Sequence, residues 1–542
     1  MPQWYRPSGA ELPSTIPAVE NFTFEMADSI DVTLKQHPIN ECTVQRNLDS
    51  AQRQVLQDFK EGKSQHCFLQ GDKERIFLAV DPPQLDAVRA AELSKTCYAR
   101  VDCIPFALIV NEGQKLMADA RATKAFSNEE LKWCASKLDS RREPVLNIQA
   151  KTHKKLSPLA PAPVKTRAII DTVDFVTKPV ATFIASTMTR SVKQIPSHVQ
   201  DTTDAINKIE ATTVPTATVN GRELYLDAYD ICEHFPEAPR EECNAAYRNE
   251  LKRLQVEPAR ANLLGRMEAW VTNNVYFKSA IGTFHHMVKG YGIGLDHSRE
   301  VTDLEWACRE AQWLQLLTAT GLPLPHINLR MVDDGFIAIY CTEEEHTASI
   351  ALLQSIDPRR TLTVESSKRS VQWLDLTIHK GPRYASTGIL DLDPFRKPTS
   401  KGMVLARTSH HPDSTFISIL QGEAQRILRL SSSRAAWQQC LAAMHREYTA
   451  RGYTATEVLT HLCNDEYGNR QSLLSKERAT TADSTAVVAL KLPYTPRGEQ
   501  LQLPTVLQAL RARAMENPQL RRLFQESRWL IANLKRPTSG PK

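Results

Sequence analysis

Residues 327–341 read INLRMVDDGFIAIYC, and this stretch decides the fold class. Two apolar segments flank a pair of carboxylates, Asp333 and Asp334. Burying two carboxylates within an apolar strand is costly unless cations or hydrogen-bond donors compensate them. Neighbouring residues on a strand point to opposite faces, so a tight hairpin is the geometry that carries such a pair to a turn or sheet edge. The sequence therefore predicts an antiparallel hairpin with Asp333 and Asp334 at its turn.

A second apolar strand, ELYLDAYDI at 223–231, carries a further carboxylate, Asp227. Magnesium prefers hard oxygen ligands and binds through one or two carboxylates together with substrate phosphates and water. Three acidic residues on two neighbouring strands therefore suit a two-metal phosphoryl-transfer site, with Mg2+ as the expected ion and Mn2+ as the alternative. An isolated Asp-Asp pair is more often a solvated turn, so this interpretation depends on the surrounding motifs.

The composition indicates a folded protein with a basic late region. Its 42% hydrophobic and 24% charged residues exclude bulk disorder and a multispanning membrane protein, and the length of 542 residues allows about three domains. Residues 359–407 hold ten Lys or Arg against four Asp or Glu, and residues 511–542 hold eight against two. One such run is typical of a solvated surface, but two in the same half make nucleic acid an equally good interpretation.

The cysteine pattern and the hydropathy indicate the compartment. Eleven cysteines without a Cys-x-x-Cys motif argue against a disulfide framework and a ribbon-type zinc site. No stretch has the length and apolar character of a signal peptide or a bilayer-spanning helix. We therefore expect an intracellular protein with no membrane partner, in the nucleus first and in an organelle as the alternative.

Nine short segments follow one another in order along most of the chain. They are GDKERIFLAV (71–80), AKTHKK (150–155), KTRAII (165–170), SHVQDTTDAINKI (197–209), DAYDICEHFP (227–236), GYGIGLDHSREVTDL (290–304), RMVDD (330–334), TVESSKRSVQWLDLTI (363–378) and FRKPTSKGMVLARTSHHP (395–412). These segments resemble, in the correct order, motifs of the reverse transcriptases, and within them the Penelope-like retroelement polymerases. Each segment alone is weakly specific, but nine in the correct order leave little room for coincidence.

The resemblance implies an α+β right-hand polymerase of fingers, palm and thumb, with a template-primer duplex in its cleft. An antiparallel palm sheet would carry the Asp-Asp hairpin, and the C-terminal thumb would be helical. The implied divisions are an N-terminal extension (1–65), fingers (66–215), a palm with the catalytic carboxylates and primer grip (216–380) and a basic, mostly helical thumb region (381–542).

The resemblance also implies roles for individual residues, because a triphosphate in transfer needs metal ions and fixed positive charge on its phosphates. Asp227, Asp333 and Asp334 would be catalytic and hold two Mg2+ ions. The residues expected to bind the nucleotide are Lys73, Lys151, Arg167, Ala228, Cys232 and Gly290. Trp373 and Leu374 would grip the primer end, and the residues expected to contact the nucleic-acid backbone are Arg396, Lys397, His410 and His411.

The sugar-sensing position departs from the family pattern. Five places after its first catalytic Asp the family has an aromatic residue that blocks the ribose 2′-hydroxyl, whereas Cys232 stands five places after Asp227. Either discrimination against ribonucleotides is relaxed, or Tyr229 or Phe235 substitutes.

The register of this motif has a second solution. Asp230 stands five places before Phe235, so it could be the first catalytic carboxylate with Phe235 as the gate. We prefer Asp227 because Pro236 then keeps the spacing that it has in the family.

Two functions remain. The first is an RNA-directed DNA polymerase that extends a primer 3′ end from dNTPs on an RNA template, with terminal extension under loose template use as a variant that shares every predicted residue. The alternative is a domesticated, catalytically reduced nucleic-acid-binding protein of the same fold. No segment resembles the GIY-YIG endonuclease of many Penelope-like elements, so we expect a pre-existing 3′ end or a separate endonuclease as a partner.

Overall fold

The computed structural model describes residues 21–22, 25, 32, 49–64, 66–72, 77–151, 165–396, 404–409, 411–463, 466–475, 487–493, 503–525 and 528–534. The chain divides into a larger unit, residues 58–403 and 427–440, and a smaller unit, residues 1–57, 404–426 and 441–542. Helices alternate with strands throughout the larger unit, and its sheets are largely antiparallel. The predicted mixed fold with antiparallel sheets is confirmed.

The described residues form helices of ordinary length, and none of these helices is long and apolar enough to cross a membrane. The helices are α1 (Ser50–Lys60), α2 (Pro82–Leu93), α3 (Phe106–Ala122), α4 (Asn128–Ala135), α5 (Lys178–Val192), α6 (Thr202–Glu210), α7 (Arg240–Arg253), α8 (Pro258–Asn273), α9 (Ser298–Ala319), α10 (Glu343–Ser355), α11 (Pro382–Thr387), α12 (Asp413–Leu430), α13 (Arg434–Ala450), α14 (Ala455–His461), α15 (Arg470–Ser475), α16 (Leu503–Glu516) and α17 (Pro518–Phe524).

The strands are short, and most of them pair with a neighbour that is close in sequence. They are β1 (Cys67–Gln70), β2 (Phe77–Val80), β3 (Tyr98–Val101), β4 (Val145–Ala150), β5 (Thr166–Asp171), β6 (Glu223–Ile231), β7 (Tyr276–Lys278), β8 (Phe284–Met287), β9 (Ile327–Met331), β10 (Asp334–Cys341), β11 (Leu362–Ser367), β12 (Ser370–Trp373), β13 (Leu376–His379), β14 (Asp391–Pro394), β15 (Val487–Pro493) and β16 (Arg528–Leu534).

A five-stranded sheet in the order β3-β8-β7-β4-β5 packs one face on the largest apolar core of the larger unit. Ile170 and Phe277 point from this sheet into that core, where they join residues of α3, α5 and α8. Close helix packing there needs a glycine, because a Cβ at Gly113 would lie 2.7 Å from the ring of Trp270. On the other face of this sheet, Val145 and Asn147 of β4 are exposed.

A four-stranded antiparallel sheet in the order β11-β6-β10-β9 carries the Asp-Asp hairpin. Strand β6 pairs with β10 from Glu223 opposite Cys341 to Asp230 opposite Asp334. The side chains of Tyr225, Tyr229 and Ile231 point to one face of this sheet and pack in the core formed with α9 and α10. Because alternate residues on a strand face opposite sides, the even-numbered residues of β6 lie on the other face.

The hairpin between β9 and β10 turns over two residues. Met331 is the cross-strand partner of Asp334, so Val332 and Asp333 form the turn. Val332 has a φ of 61°, in the left-handed region that a β-branched residue seldom adopts. The next strand residue, Gly335, lies opposite Tyr229, and a Cβ at this glycine would overlap the tyrosine ring.

The described part of the larger unit also contains two smaller antiparallel sheets. The three-stranded sheet β12-β13-β14 follows the four-stranded sheet in the chain, and β1 and β2 form a separate hairpin. At the turn between β12 and β13, Leu374 has a φ of 55°.

The smaller unit has its own ion pairs and its own apolar core. Arg407 donates to Glu457 at 3.0 Å and to Asp413 at 2.7 Å, and its guanidinium lies 4.4 Å from the ring centroid of Phe416. A further core contains Phe22, Leu510, Ala514 and Leu520. Strands β15 and β16 pair in parallel, and the sequence analysis did not predict them.

We expect Gly335→Ala to lower the free energy of unfolding by about 1–3 kcal/mol, because the added methyl group must displace the buried Tyr229 ring. Gly422→Ala is the matched control, since Gly422 lies within α12 and an added Cβ there meets nothing within 4 Å. This control should be neutral or stabilising by up to about 1 kcal/mol. Thermal unfolding of both variants measures the difference, and equal melting temperatures would contradict the close packing of Tyr229 on Gly335.

Candidate active site

A row of four cross-strand neighbours, two of them carboxylates, crosses the face of the four-stranded sheet that is opposite to α9 and α10. We call it the carboxylate row. Asp230 on β6 lies directly opposite Asp334 on β10, and both side chains are half-buried. Directly opposed residues on antiparallel strands share one face, with their Cβ atoms about 4.5–5.5 Å apart. Met331 continues the row on one side and Thr363 on the other. The structure therefore brings Asp230 and Asp334 together.

Asp227 lies on the opposite face of the same sheet. It is three residues from Asp230 along β6, its cross-strand partner is Ile337, and its side chain is fully buried. The Nε2 atom of His346, on α10, lies 2.9 Å from its Oδ1 atom. The His346 ring in turn stacks on Tyr225 at a centroid distance of 4.2 Å. The structure does not bring Asp227 together with Asp333 and Asp334.

Asp333 occupies the turn itself, and its backbone ties the hairpin to the neighbouring strand. Its carbonyl oxygen accepts a hydrogen bond from the amide of Ile231 at 3.0 Å. This bond follows directly after the pairing of Asp230 with Asp334. The turn is therefore fixed to the end of β6 despite the unfavourable φ of Val332.

The guanidinium of Arg330 contacts the turn on the face of the sheet that α9 covers. This residue is fully buried, and it donates to the Val332 carbonyl at 2.8 Å, to Asp303 at 2.7 Å and to Glu310 at 2.9 Å. Burial alone would lower the pKa of Arg330, but Glu310 and Asp303 outweigh burial, so the pKa is raised and the cation is retained. Ser197 and Tyr229 also donate to Glu310. The turn that carries Asp333 thus rests on a compensated buried charge.

Ala228 and the predicted primer-grip residues lie beside the carboxylate row. Ala228 shares the face of Asp230, and its cross-strand partner is Phe336. Trp373 is 3% exposed, and its ring stacks on Phe336 at a centroid distance of 5.6 Å. Leu374 forms the adjacent turn and is only half-buried. The β12-β13 hairpin is therefore anchored to the carboxylate face through Trp373, with Leu374 at its tip.

The three candidates for the sugar-sensing position occupy different surroundings. Cys232 follows the end of β6, is half-buried and donates its amide to Thr361 at 2.9 Å. The Tyr229 ring is buried on the helix side, so it is remote from the carboxylate face. Phe235 is half-buried and stands five places after Asp230.

Gly290 and the loop that follows it pack on the loop after β6. Gly290 has a φ of 69°, and a Cβ there would overlap the backbone of Pro236. The amide of Tyr291 donates to the carbonyl of Phe235 at 2.8 Å. Gly290 therefore has a packing role against the Phe235 segment, beside the close nucleotide approach that the sequence analysis predicts.

The other glycines of this segment approach different partners. Gly292 packs against Leu295 and Ile170, whereas Gly294, with a φ of 111°, would overlap the Ile170 backbone if it carried a Cβ. The Ile170 amide donates to Ile293 at 2.8 Å. The segment therefore joins strand β5 to the loop after β6.

A buried polar cluster lies beneath this segment. Glu268 on α8 accepts from Tyr291 at 2.7 Å, from Thr272 at 2.8 Å and from Asn244. Burial raises the pKa of Glu268, although these three hydrogen bonds oppose the rise. His297 lies at 3.1 Å from Thr272 Oγ1, and burial lowers its pKa to about 4. The imidazole is therefore neutral at physiological pH.

Of the three predicted phosphate-binding cations, two are described. Arg167 lies on β5, about one-third exposed, with its Nε atom 3.7 Å from Asp72. Lys151 follows β4, and its amide donates to the Lys165 carbonyl at 2.8 Å. Lys73 lies outside the described residues. The structure places Arg167 on the strand that Ile293 and Gly294 contact, beside the segment that holds Phe235.

The predicted backbone contacts are described only in part. Arg396 is exposed just after β14. His411, in the smaller unit, is exposed with its Nδ1 atom 3.2 Å from Ser409 Oγ. Lys397 and His410 lie outside the described residues.

The carboxylate row fits the chemistry of a magnesium ion that arrives with a nucleotide. Among the described residues, no group of three or more His, Cys, Asp or Glu side chains is arranged to hold a metal ion. Asp230 and Asp334 supply two accessible carboxylates, and magnesium commonly takes one or two carboxylates together with substrate phosphates. Asp227, buried against His346, does not reach this face.

No protein-family model matches this chain, and no curated protein matches it. The solved structures similar to it include telomerases and RNA-dependent RNA polymerases. The telomerase of Candida albicans, in complex with a TWJ fragment of telomeric RNA, shares 11% identity over 80% of this chain and 73% of its own, with a TM-score of 0.47. The telomerase of Candida tropicalis with such a fragment shares 10% identity over 81% of this chain and 75% of its own, with a TM-score of 0.42. The RNA-dependent RNA polymerase of a human picobirnavirus shares 10% identity over 84% of this chain and 90% of its own, with a TM-score of 0.40.

Two buried arginines, Arg330 and Arg360, have no role among the predictions from sequence. A signal was available for Arg330, which interrupts the apolar strand INLRM where a cation is buried only with partners. Arg360 stands in the polar stretch DPRR and has the appearance of a surface residue. Its partner Glu305 is far away in sequence, so the pairing is visible only in the fold.

The buried neutral His297 predicts a stability that falls in mild acid. The unfolded chain binds a proton with a pKa near 6.5, whereas the folded chain excludes that proton until about pH 4. The contribution of His297 to the free energy of unfolding should therefore fall by about 1.4 kcal/mol per pH unit as the pH is lowered from 6.5 to 4, with no further loss from this group below pH 4. Urea unfolding across this range measures the slope. His297→Gln should flatten it relative to His326→Gln, an exposed control, and equal slopes would contradict the buried neutral imidazole.

Proposed function

We propose that this protein is an RNA-directed DNA polymerase that extends a primer 3′ end by two-metal nucleotidyl transfer. The observation that carries the proposal is the pairing of Asp230 with Asp334 at the partly exposed end of an antiparallel sheet, on the face opposite to α9 and α10 and beside a turn that holds Asp333. Sheet and helix packing place this pair on a supported backbone, and its carboxylates are accessible. Two accessible carboxylates beside a third at the turn suit two-metal phosphoryl transfer, in which substrate phosphates supply further ligands.

In this proposal Asp230 takes the role that spacing alone assigned to Asp227. Asp230 and Asp334 would hold the Mg2+ ions, with Asp333 at the turn, and Mn2+ is the alternative ion. The ions would activate the primer hydroxyl and stabilise the leaving pyrophosphate. Asp227 instead fixes β6 to α10 through His346, which is a structural role.

The register that begins at Asp230 makes Phe235 the residue beside the ribose. Phe235 stands five places after Asp230, and its backbone is held by Tyr291. Cys232 is then no longer required to discriminate between sugars. Arg167, with Lys151 and Lys73, would contact the triphosphate, and Gly290 would hold the Phe235 segment close to it.

The remaining divisions follow the same scheme. The five-stranded sheet would belong to the fingers, the four-stranded sheet to the palm and the helical C-terminal region to a basic thumb. Leu374 at the tip of the β12-β13 hairpin would contact the primer end, while Trp373 anchors the hairpin on Phe336. Arg396, Lys397, His410 and His411 would contact duplex phosphates.

The partners and the type follow from the sequence resemblance. We propose a Penelope-like type that copies an RNA template from a nucleic-acid primer, supplied by a pre-existing end or a separate endonuclease, in the nucleus or an organelle.

Primer extension on an RNA template with Mg2+ tests this proposal. We expect Asp230→Asn and Asp334→Asn each to lower the extension rate by a factor on the order of 10²–10³, because each removes a charge that the transition state needs. Parallel reactions with a DNA template, and with dNTPs or rNTPs, establish which template and nucleotide the enzyme prefers.

Asp227→Asn is the matched control, because it makes the same chemical change on the other face of β6. We expect this variant to lose thermal stability while its soluble fraction keeps extension within a few-fold of wild type. Loss of extension in folded Asp227→Asn with retention in Asp230→Asn would instead support the register chosen from spacing. No extension by folded wild-type protein that still binds the duplex would favour the catalytically reduced binding protein.

A further inference from the structure

The side chain of Arg360 lies buried beneath the loop that carries Phe235. Arg360 is 1% exposed and precedes β11. Its Nε atom donates to Asp357 at 2.7 Å, and its Nη2 atom donates to Glu305 on α9 at 2.6 Å. Two carboxylates therefore compensate this cation, and its fork geometry fixes the orientation of the guanidinium.

The third guanidinium nitrogen of Arg360, Nη1, points to His234, the residue before Phe235. The Nη1 atom of Arg360 lies 3.5 Å from His234 Nδ1, and its guanidinium carbon lies 4.6 Å from the ring centroid of Trp306. Burial first, and then the nearby cations Arg360 and Arg330, hold the pKa of His234 well below its usual value. His234 is therefore neutral, and its Nδ1 atom can accept from Arg360.

The His234 ring connects Arg360 to Phe235. It is 3% exposed, its centroid lies 5.3 Å from that of Phe235, and it meets the Trp306 ring edge to face at 6.1 Å. The preceding residue, Glu233, has a φ of 51°, so the backbone turns sharply there. On its other side, the Phe235 carbonyl accepts from Tyr291. Phe235 is thus held between the Tyr291 contact and the His234 ring.

We propose that Arg360 is a positioning residue that sets the preference for deoxyribonucleotides over ribonucleotides, acting through His234 on the ring of Phe235. The inference rests on the proposed function, because it takes Phe235 as the residue beside the ribose. A steric gate discriminates by a difference of one oxygen atom, so a small displacement of the ring changes the penalty for a 2′-hydroxyl. Contacts of this size are worth about 10-fold to 200-fold in selectivity.

The test compares Arg360→Lys with Arg359→Lys. Lysine keeps the charge of Arg360 but cannot donate to Asp357, Glu305 and His234 with one planar group. Arg359 is the matched control, because it donates to the same Asp357 and to Glu242 but not to His234. For each protein, kcat/KM is measured for one dNTP and for the matching rNTP on the same primer and template. A purely structural loss lowers both values together and leaves their ratio unchanged.

We expect Arg360→Lys to lower the ratio of dNTP to rNTP kcat/KM by about tenfold, and Arg359→Lys to keep it within about twofold of wild type. In a Phe235→Ala background, Arg360→Lys should change the ratio no further, because the ring through which it acts is gone. If Arg360→Lys does not fold, His234→Gln tests the same contact from the loop side, and we expect the same fall.

If the Arg360→Lys variant is folded and active and keeps the wild-type ratio of dNTP to rNTP kcat/KM, the inference is overturned while the proposed function stands. The same holds if Arg360→Lys changes this ratio equally in the Phe235→Ala background. If Arg360→Lys does not fold, an active His234→Gln with the wild-type ratio overturns it in the same way. Wild-type protein that incorporates neither nucleotide overturns the proposed function, and the inference falls with it.

Discussion

A guanidinium without access to water lies between the four-stranded sheet and α9, and the geometry of the candidate site depends on it. Removing a cation from water costs several kcal/mol unless carboxylates and acceptors are already in place around it. Arg330 finds them in Asp303 and Glu310 of α9 and in the Val332 carbonyl. The helix, the strand and the turn must therefore occupy one arrangement relative to each other. That arrangement also holds Val332 in its unfavourable backbone conformation and keeps Asp333 and Asp334 at the end of the hairpin.

Helix α9 repeats this arrangement with a second arginine. Its Asp303 and Glu310 pair with Arg330, and its Glu305 pairs with Arg360. One arginine supports the turn that carries the Asp-Asp pair, and the other lies beneath the loop that carries Phe235. A single helix thus fixes two segments, one at each side of Asp230, through charges rather than through apolar packing alone. Apolar contacts tolerate sliding, whereas a buried, charge-assisted hydrogen bond tolerates little change in geometry.

The sequence was sufficient to predict the hairpin, because two carboxylates between apolar strands have few other places to go. It was not sufficient to choose between Asp227 and Asp230. Both belong to one strand, and spacing to Pro236 favoured the first. Because side chains alternate along a strand, two residues that are three positions apart lie on opposite faces. The two aspartates therefore differ in whether α9 and α10 cover their face of the sheet. Spacing in sequence does not report which face of a sheet a helix covers. For the same reason, the partners of Arg360 could not be predicted from the sequence.

The position of α9 along the chain has a consequence for biosynthesis. Asp303 and Glu310 are made before Arg330, their buried partner, whereas Glu305 already pairs with Arg309 of the same helix at 2.9 Å. On the ribosome, the helix would emerge with two carboxylates that stay in water until Arg330 arrives. Docking of α9 therefore waits for residue 330 to clear the exit tunnel, and β11, at residues 362–367, completes the four-stranded sheet later still. Until then the apolar faces of its strands depend on delayed collapse or on chaperones to avoid association with other chains.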